Sequence, residues 1–122
     1  MHFTFDNQRP IYLQLLEQFQ LEIISGRLSP GEKLPSVREL ATTARANPNT
    51  VQKALTELED QGLIFTERTN GKFVTQDQKL IHHYRAHIVR DKTRKYIHDL
   101  HELGLNNREI IDYFTTKGVK KW

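Results

Sequence analysis

Apolar residues recur at Tyr12, Leu15, Leu16, Phe19, Ile23 and Ile24, a spacing that lines one face of a helix. Pro10 suits the first position of that helix and Gly26 the cap after its last turn. The Pro30-Gly31 pair then predicts a turn, and Leu34-Pro35 an extended entry into the next element. Ser36 followed by Glu39 is the pattern of a capping box, so a short second helix is expected from there to about Thr43, with Val37, Leu40 and Ala41 inward. Asn47 is a good N-cap and Pro48 costs little in a first turn. The third helix they open would bury Val51, Ala54, Leu55 and Leu58, end at Gly62, and leave Asn49, Gln52, Lys53 and Thr56 on another face. Residues 63–66 and 72–75 read as two short strands, with Asn70-Gly71 supplying the positive φ angles of a tight hairpin.

From Gln76 the helical pattern returns, through Leu80, Ile81, Tyr84, Ile88, Val89, Tyr96, Leu100 and Leu103 as far as Gly104. A last helix, capped by Asn106 or Asn107, carries Ile110, Ile111 and Phe114. Helices this one-sided must pack on the first domain, on each other or on a second chain. The expected division is residues 8–77 and 78–122, in a fold that is mainly α with a small β-hairpin wing.

At 122 residues the chain is long enough for one core of ordinary size. With no cysteine it has no disulfide, no thiolate nucleophile and no cysteine-ligated metal. Met1 to Arg9 is polar and mixed and does not read as a signal peptide, and no apolar run approaches bilayer length, so the expected location is cytoplasmic, with no membrane partner. The net charge of +3 suits a polyanion but is unevenly placed. Residues 1–75 hold eight Lys and Arg against nine Asp and Glu, about −1, and the remainder ten against six, +4. Bulk charge does not identify a DNA-binding domain here, and placement has to make the case.

Helix, short helix, turn, longer helix and hairpin within about 65 residues is the order of a winged helix-turn-helix. The segments Pro10-Ile11-Tyr12-Leu13-Gln14-Leu15, Leu34-Pro35-Ser36-Val37-Arg38-Glu39-Leu40-Ala41, Asn47-Pro48-Asn49-Thr50-Val51-Gln52-Lys53-Ala54-Leu55, Gly62-Leu63-Ile64 and Gly71-Lys72-Phe73-Val74 resemble the amino-terminal domain of the GntR family. Asn-Pro-Asn-Thr-Val, with fewer than fifty residues after the domain, is similar to the short YtrA-like branch of that family. The resemblance implies a dimeric repressor of double-stranded operator DNA, often of a transporter operon. It also implies that the third helix enters the major groove, with Asn49, Thr50, Gln52 and Lys53 at base edges, where Asn and Gln pair with adenine and Lys reaches guanine. Arg38 matches the family's arginine and would meet phosphate or a base at the groove edge. Ser36 and Arg45 are phosphate candidates, and Arg68, Asn70, Gly71 and Lys72 of the wing would touch the minor groove. Relatives with larger effector domains commonly have arginine at the positions of Pro48 and Gln52, so their guanine contacts do not carry over.

Other readings of the same residues are plainer. Asn47 serves as a cap whether or not it also reads a base, and Gly71 is a turn glycine first. Ile81, Tyr84, Ile88, Tyr96, Leu100 and Phe114 are expected to pair two chains, although Tyr84, Tyr96 and Phe114 could instead line an effector pocket; whether a small-molecule effector exists is left open. His83 with His87 and His98 with His101 have metal-gripping spacings, but no carboxylate or cysteine completes an obvious set, so neither a metal nor any other cofactor is expected. No phosphate-binding glycine loop or nucleophile elbow supports an enzyme. A protein-docking winged domain would expose apolar anchors on its third helix, and RNA binding would ask for aromatic stacking platforms.

Overall fold

In the computed structural model, which describes residues 1–117, three helices precede a hairpin: α1 (Ile11–Ile24), α2 (Val37–Ala44), α3 (Pro48–Asp60), then antiparallel β1 (Ile64–Glu67) and β2 (Gly71–Val74). A long helix α4 (Gln78–Glu102) follows, then α5 (Asn107–Asp112) and a π-helical turn over Tyr113–Lys117. The chain forms two compact units, residues 1–85 and 86–122.

The first unit is built on the contact of α1 with α3. Leu15, Phe19 and Ile23 of α1 and Val51, Ala54, Leu55 and Leu58 of α3 are almost fully buried, as the two apolar stripes require. Leu40, Ala41 and Ala44 add the inner face of α2; Val37, expected inward, is half-buried against the same cluster. Gly62 turns the chain out of α3 at φ 79°, where a Cβ would come within 3.1 Å of Leu80 Cδ2. The hairpin pairs Ile64 with Val74 on the core side and Phe65 with Phe73 on the outer face. Its second edge is covered, because Leu34 donates to Lys72 and Val74 to Glu32 through backbone bonds of 2.8 and 2.9 Å.

Three details differ from the sequence reading. The hairpin loop holds three residues, Arg68, Thr69 and Asn70, because Glu67 is paired with Gly71. Only Gly71 takes a positive φ, 106°, and Asn70 does not, so glycine alone makes the reversal. The first unit also runs on to Arg85, past residue 77, because Ile81 is 3% exposed and belongs to its core, with Leu80 and Tyr84 packed beside it. The expected dimer contact at Ile81 is therefore corrected: its side chain is spent inside its own chain. Arg85 closes the unit by donating twice, at 3.1 and 2.6 Å, to the carbonyl of Ile24 at the end of α1.

The first nine residues, polar and apolar mixed, are held along α1. Gln14, 5% exposed, donates to the carbonyls of Asp6 and Arg9 and accepts from the Asp6 amide, and one turn on Gln18 does both for Thr4. Phe3 packs edge-on against Phe19, their ring centres 5.4 Å apart.

In the second unit Ile110 is buried, and Asn106 caps α5 through a capping box with Glu109. Tyr96 meets Phe114 edge-on at 5.8 Å, yet both are about half exposed. Val89, Leu103 and Ile111 are exposed as well, while Ile88 and Leu100 are half-buried.

Candidate nucleic-acid interface

The start of α2, the α2–α3 turn and the start of α3 carry most of the expected residues. The Ser36 hydroxyl accepts from the Glu39 amide and the Glu39 carboxylate from the Ser36 amide, each at 3.1 Å. The bond that the Ser36 amide donates, with a smaller contribution from the Ser36 side chain, holds the Glu39 carboxyl below its ordinary value. Ser36 is thus a cap before it is anything else, and it fixes the exposed Arg38 two residues on. Asn47 caps α3, its side chain accepting from the Asn49 amide at 2.8 Å.

Between them sits Arg45 in the left-handed region, φ 53° and ψ 44°, at the C-cap of α2. Among the described residues it is the one non-glycine with a positive φ, at a position that favours glycine. Its side chain is exposed.

Asn49, Gln52, Lys53 and Thr56 are exposed on α3, and Thr50 is half-buried. The Gln52 amide nitrogen donates to the Thr56 hydroxyl at 3.3 Å. The Lys53 ammonium lies 3.7 Å from the centre of the Tyr12 ring on α1, a partner that periodicity within α3 could not reveal.

The wing residues are less free than their types suggested. Asn70 donates to the Glu67 carboxylate at 3.0 Å. Lys72 is paired with Glu59 at 3.2 Å and also donates to the Thr66 hydroxyl, which itself donates to Glu59 at 2.7 Å. Arg68 and Gly71 remain exposed. Glu59, near the end of α3, thereby ties the recognition-side helix to both strands of the wing. The sequence reading missed it, because only the cross-strand pairing of Thr66 with Lys72 brings its partners together.

The Thr66 hydrogen bond, followed by the Lys72 contacts, holds the Glu59 carboxyl below its ordinary value. A depressed carboxylate contributes order that is present above its unfolded pKa and is lost as pH falls through the folded one. Amide exchange at Thr66 and Lys72 is therefore expected to accelerate below the ordinary glutamate range while α3 core amides stay protected, and Glu59→Gln should abolish that pH response.

In the second unit His87 faces Asp91 and His98 faces Glu102, at 3.4 and 3.5 Å. His101 shares a 2.7 Å hydrogen bond with Asn107. Among the described residues no three His, Cys, Asp or Glu side chains are grouped to hold a metal, and no helix is long and apolar enough to cross a membrane.

Known proteins share this arrangement. Residues 11–74 match the family described as bacterial regulatory proteins, gntR family. The HTH-type transcriptional repressor YtrA of Bacillus subtilis is 36% identical over 118 residues, covering 92% of this chain and 91% of the relative. A GntR family transcriptional regulator from Listeria monocytogenes superposes with a TM-score of 0.83 at 39% identity, over 90% of this chain and 96% of that one. The DNA-binding domain of AraR in complex with operator ORX1 superposes with a TM-score of 0.56 at 28% identity, over 62% of this chain and 99% of that one. Caps, recognition-side helix and wing thus stand where a family of transcription regulators has them, and the chain belongs to it: a DNA-binding transcriptional regulator of the GntR family.

Proposed function

We propose that the chain is a cytoplasmic repressor that binds a two-fold operator as a homodimer, with a transporter operon as its target. The observation that carries the reading is the division of α3: one face is sealed in the core by Val51, Ala54, Leu55 and Leu58, and the other, beyond the Pro48 that opens the helix, presents polar side chains. Such a helix offers hydrogen-bonding groups to base edges and has no apolar anchor for a protein partner. Asn49, Thr50, Gln52 and Lys53 would enter the major groove, with Ser36, Arg38, Arg45 and Asn47 beside its edge. Arg68, Asn70, Gly71 and Lys72 would lie along the flanking minor groove. The exposed Tyr96 and Phe114, with the half-buried Ile88 and Leu100, support pairing of two chains through the second unit. The similarity to a B. subtilis repressor supports repression as the outcome.

Selection of bound duplexes from a random pool, with gel-shift stoichiometry on the winners, tests this. A palindromic consensus carrying two chains is expected; an asymmetric site bound by one chain would overturn the dimeric reading.

Arg45 separates contact from scaffold. An arginine held at φ 53° costs about 1 kcal/mol relative to glycine, so Arg45→Gly should keep or raise thermal stability. If the guanidinium meets phosphate, the same variant should bind operator more weakly and with a shallower salt dependence. Unchanged affinity would leave Arg45 a cap and nothing more.

A further inference from the structure

We propose that Lys53 grips the sugar-phosphate wall of the major groove rather than a base edge, and that Tyr12 is the positioning residue that aims it there. The inference deepens the DNA-binding reading of α3 and rests on it. Lys53 makes no ion pair among the described residues, and its ammonium sits 3.7 Å from the centre of the Tyr12 ring, well inside the range over which a ring face attracts a cation. That contact turns the side chain sideways from α3 toward α1. There it lines an open surface hollow with Ile11, Tyr12, Asn49 and Thr50, in which Lys53 is the one charged side chain.

An α-helix about 10–12 Å across nearly fills a major groove about 12 Å wide. Side chains on the outermost face reach the groove floor, and those turned to a flank meet its wall. Lys53, drawn to the flank, is offered to phosphate, which needs only the point charge that an ammonium supplies. Tyr12 covers one side of the ammonium and leaves its other hydrogens to donate, and it removes part of the rotamer freedom a free lysine would lose on binding.

The test uses the full chain, its selected operator and a scrambled duplex of equal length. Lys53→Met is expected to weaken both duplexes by the same factor and to reduce the salt slope by about one per chain, leaving base preference unchanged. Tyr12→Leu should weaken both about 2- to 5-fold, Tyr12→Phe should retain wild-type binding, and Tyr12→Leu should add nothing in a Lys53→Met background. In the free protein the Lys53 ε-methylene protons should be shifted upfield by the ring, and released in Tyr12→Leu. Relaxed preference at a single base pair in Lys53→Met would make Lys53 a base reader and overturn the proposal. An undiminished Tyr12→Leu effect without Lys53, or no upfield shift in the wild type, would overturn the role of Tyr12. If the wild type binds no duplex at all, the DNA-binding reading itself falls, and with it this one.

Discussion

A chain ending at Asp77 is expected to melt about 12–24 °C below one ending at Arg85, although both retain every residue expected to touch DNA. The shorter chain lacks Ile81, 3% exposed in the core, together with Leu80 and Tyr84. It also lacks the two bonds that Arg85 makes to the end of α1. Burying an isoleucine side chain contributes about 1.5–3 kcal/mol, and a charged donor on a helix-terminal carbonyl adds about 1 kcal/mol in a partly exposed setting. A loss of at least about 3 kcal/mol converts to 4–8 °C per kcal/mol for a domain of roughly this size. Differential scanning calorimetry of the two truncations measures it; equal melting temperatures would mean that α4 merely rests against the winged unit. The chain ending at Arg85 should also be monomeric by sedimentation, and a persistent dimer would place the pairing surface elsewhere than in residues 86–122.

Operator affinity should fall about 10⁴-fold between 50 and 200 mM salt if two copies bind, and about 10²-fold if one does. Residues 1–75 carry a net charge near −1, so attraction to DNA comes from placed cations and not from the overall field. Arg38, Arg45, Lys53 and Arg68 are exposed on the proposed surface, whereas Lys72 is paired with Glu59. Four phosphate contacts per copy give eight for a dimer, and each contributes a slope of about −0.9 in the logarithm of affinity against the logarithm of salt. A titration by fluorescence anisotropy separates the two cases by their slopes, about −7 and about −4. A slope near zero would remove the phosphate role of all four residues.

How legible these features were follows from how local their causes are. The three helices of the winged unit and the caps at Ser36 and Asn47 were readable because stripe, cap and glycine signals agreed within each segment. The hairpin was readable as a hairpin, but its loop length depends on which pairs close it: the sequence reading joins the strands through Arg68-Thr69-Asn70-Gly71, and pairing of Glu67 with Gly71 shortens the loop to three residues. Features made across the chain were not legible. Glu59 holds residues of two strands, Tyr12 faces a lysine 41 positions away, and Arg85 reaches back 61 residues to α1. Ile81 has the periodicity of a buried residue without any local mark of what buries it, and a second chain satisfies that pattern as well as its own core does. Arg45 gave no signal either, since its backbone conformation is imposed by the turn between two capped helices.

The seat of the first nine residues has a consequence for substitution at position 14. Gln14 and glutamate have nearly the same volume, and by packing alone the exchange would be invisible. Yet the amide group donates to two carbonyls, Asp6 at 3.1 Å and Arg9 at 2.8 Å. A carboxylate there would set oxygen against oxygen at both contacts and bring a charge into a site that water scarcely reaches. Deamidation, a change of one heavy atom, would thus prise the leading segment from α1 and uncover Phe3 and Phe5, so that ageing of a single side chain becomes a route to a sticky surface.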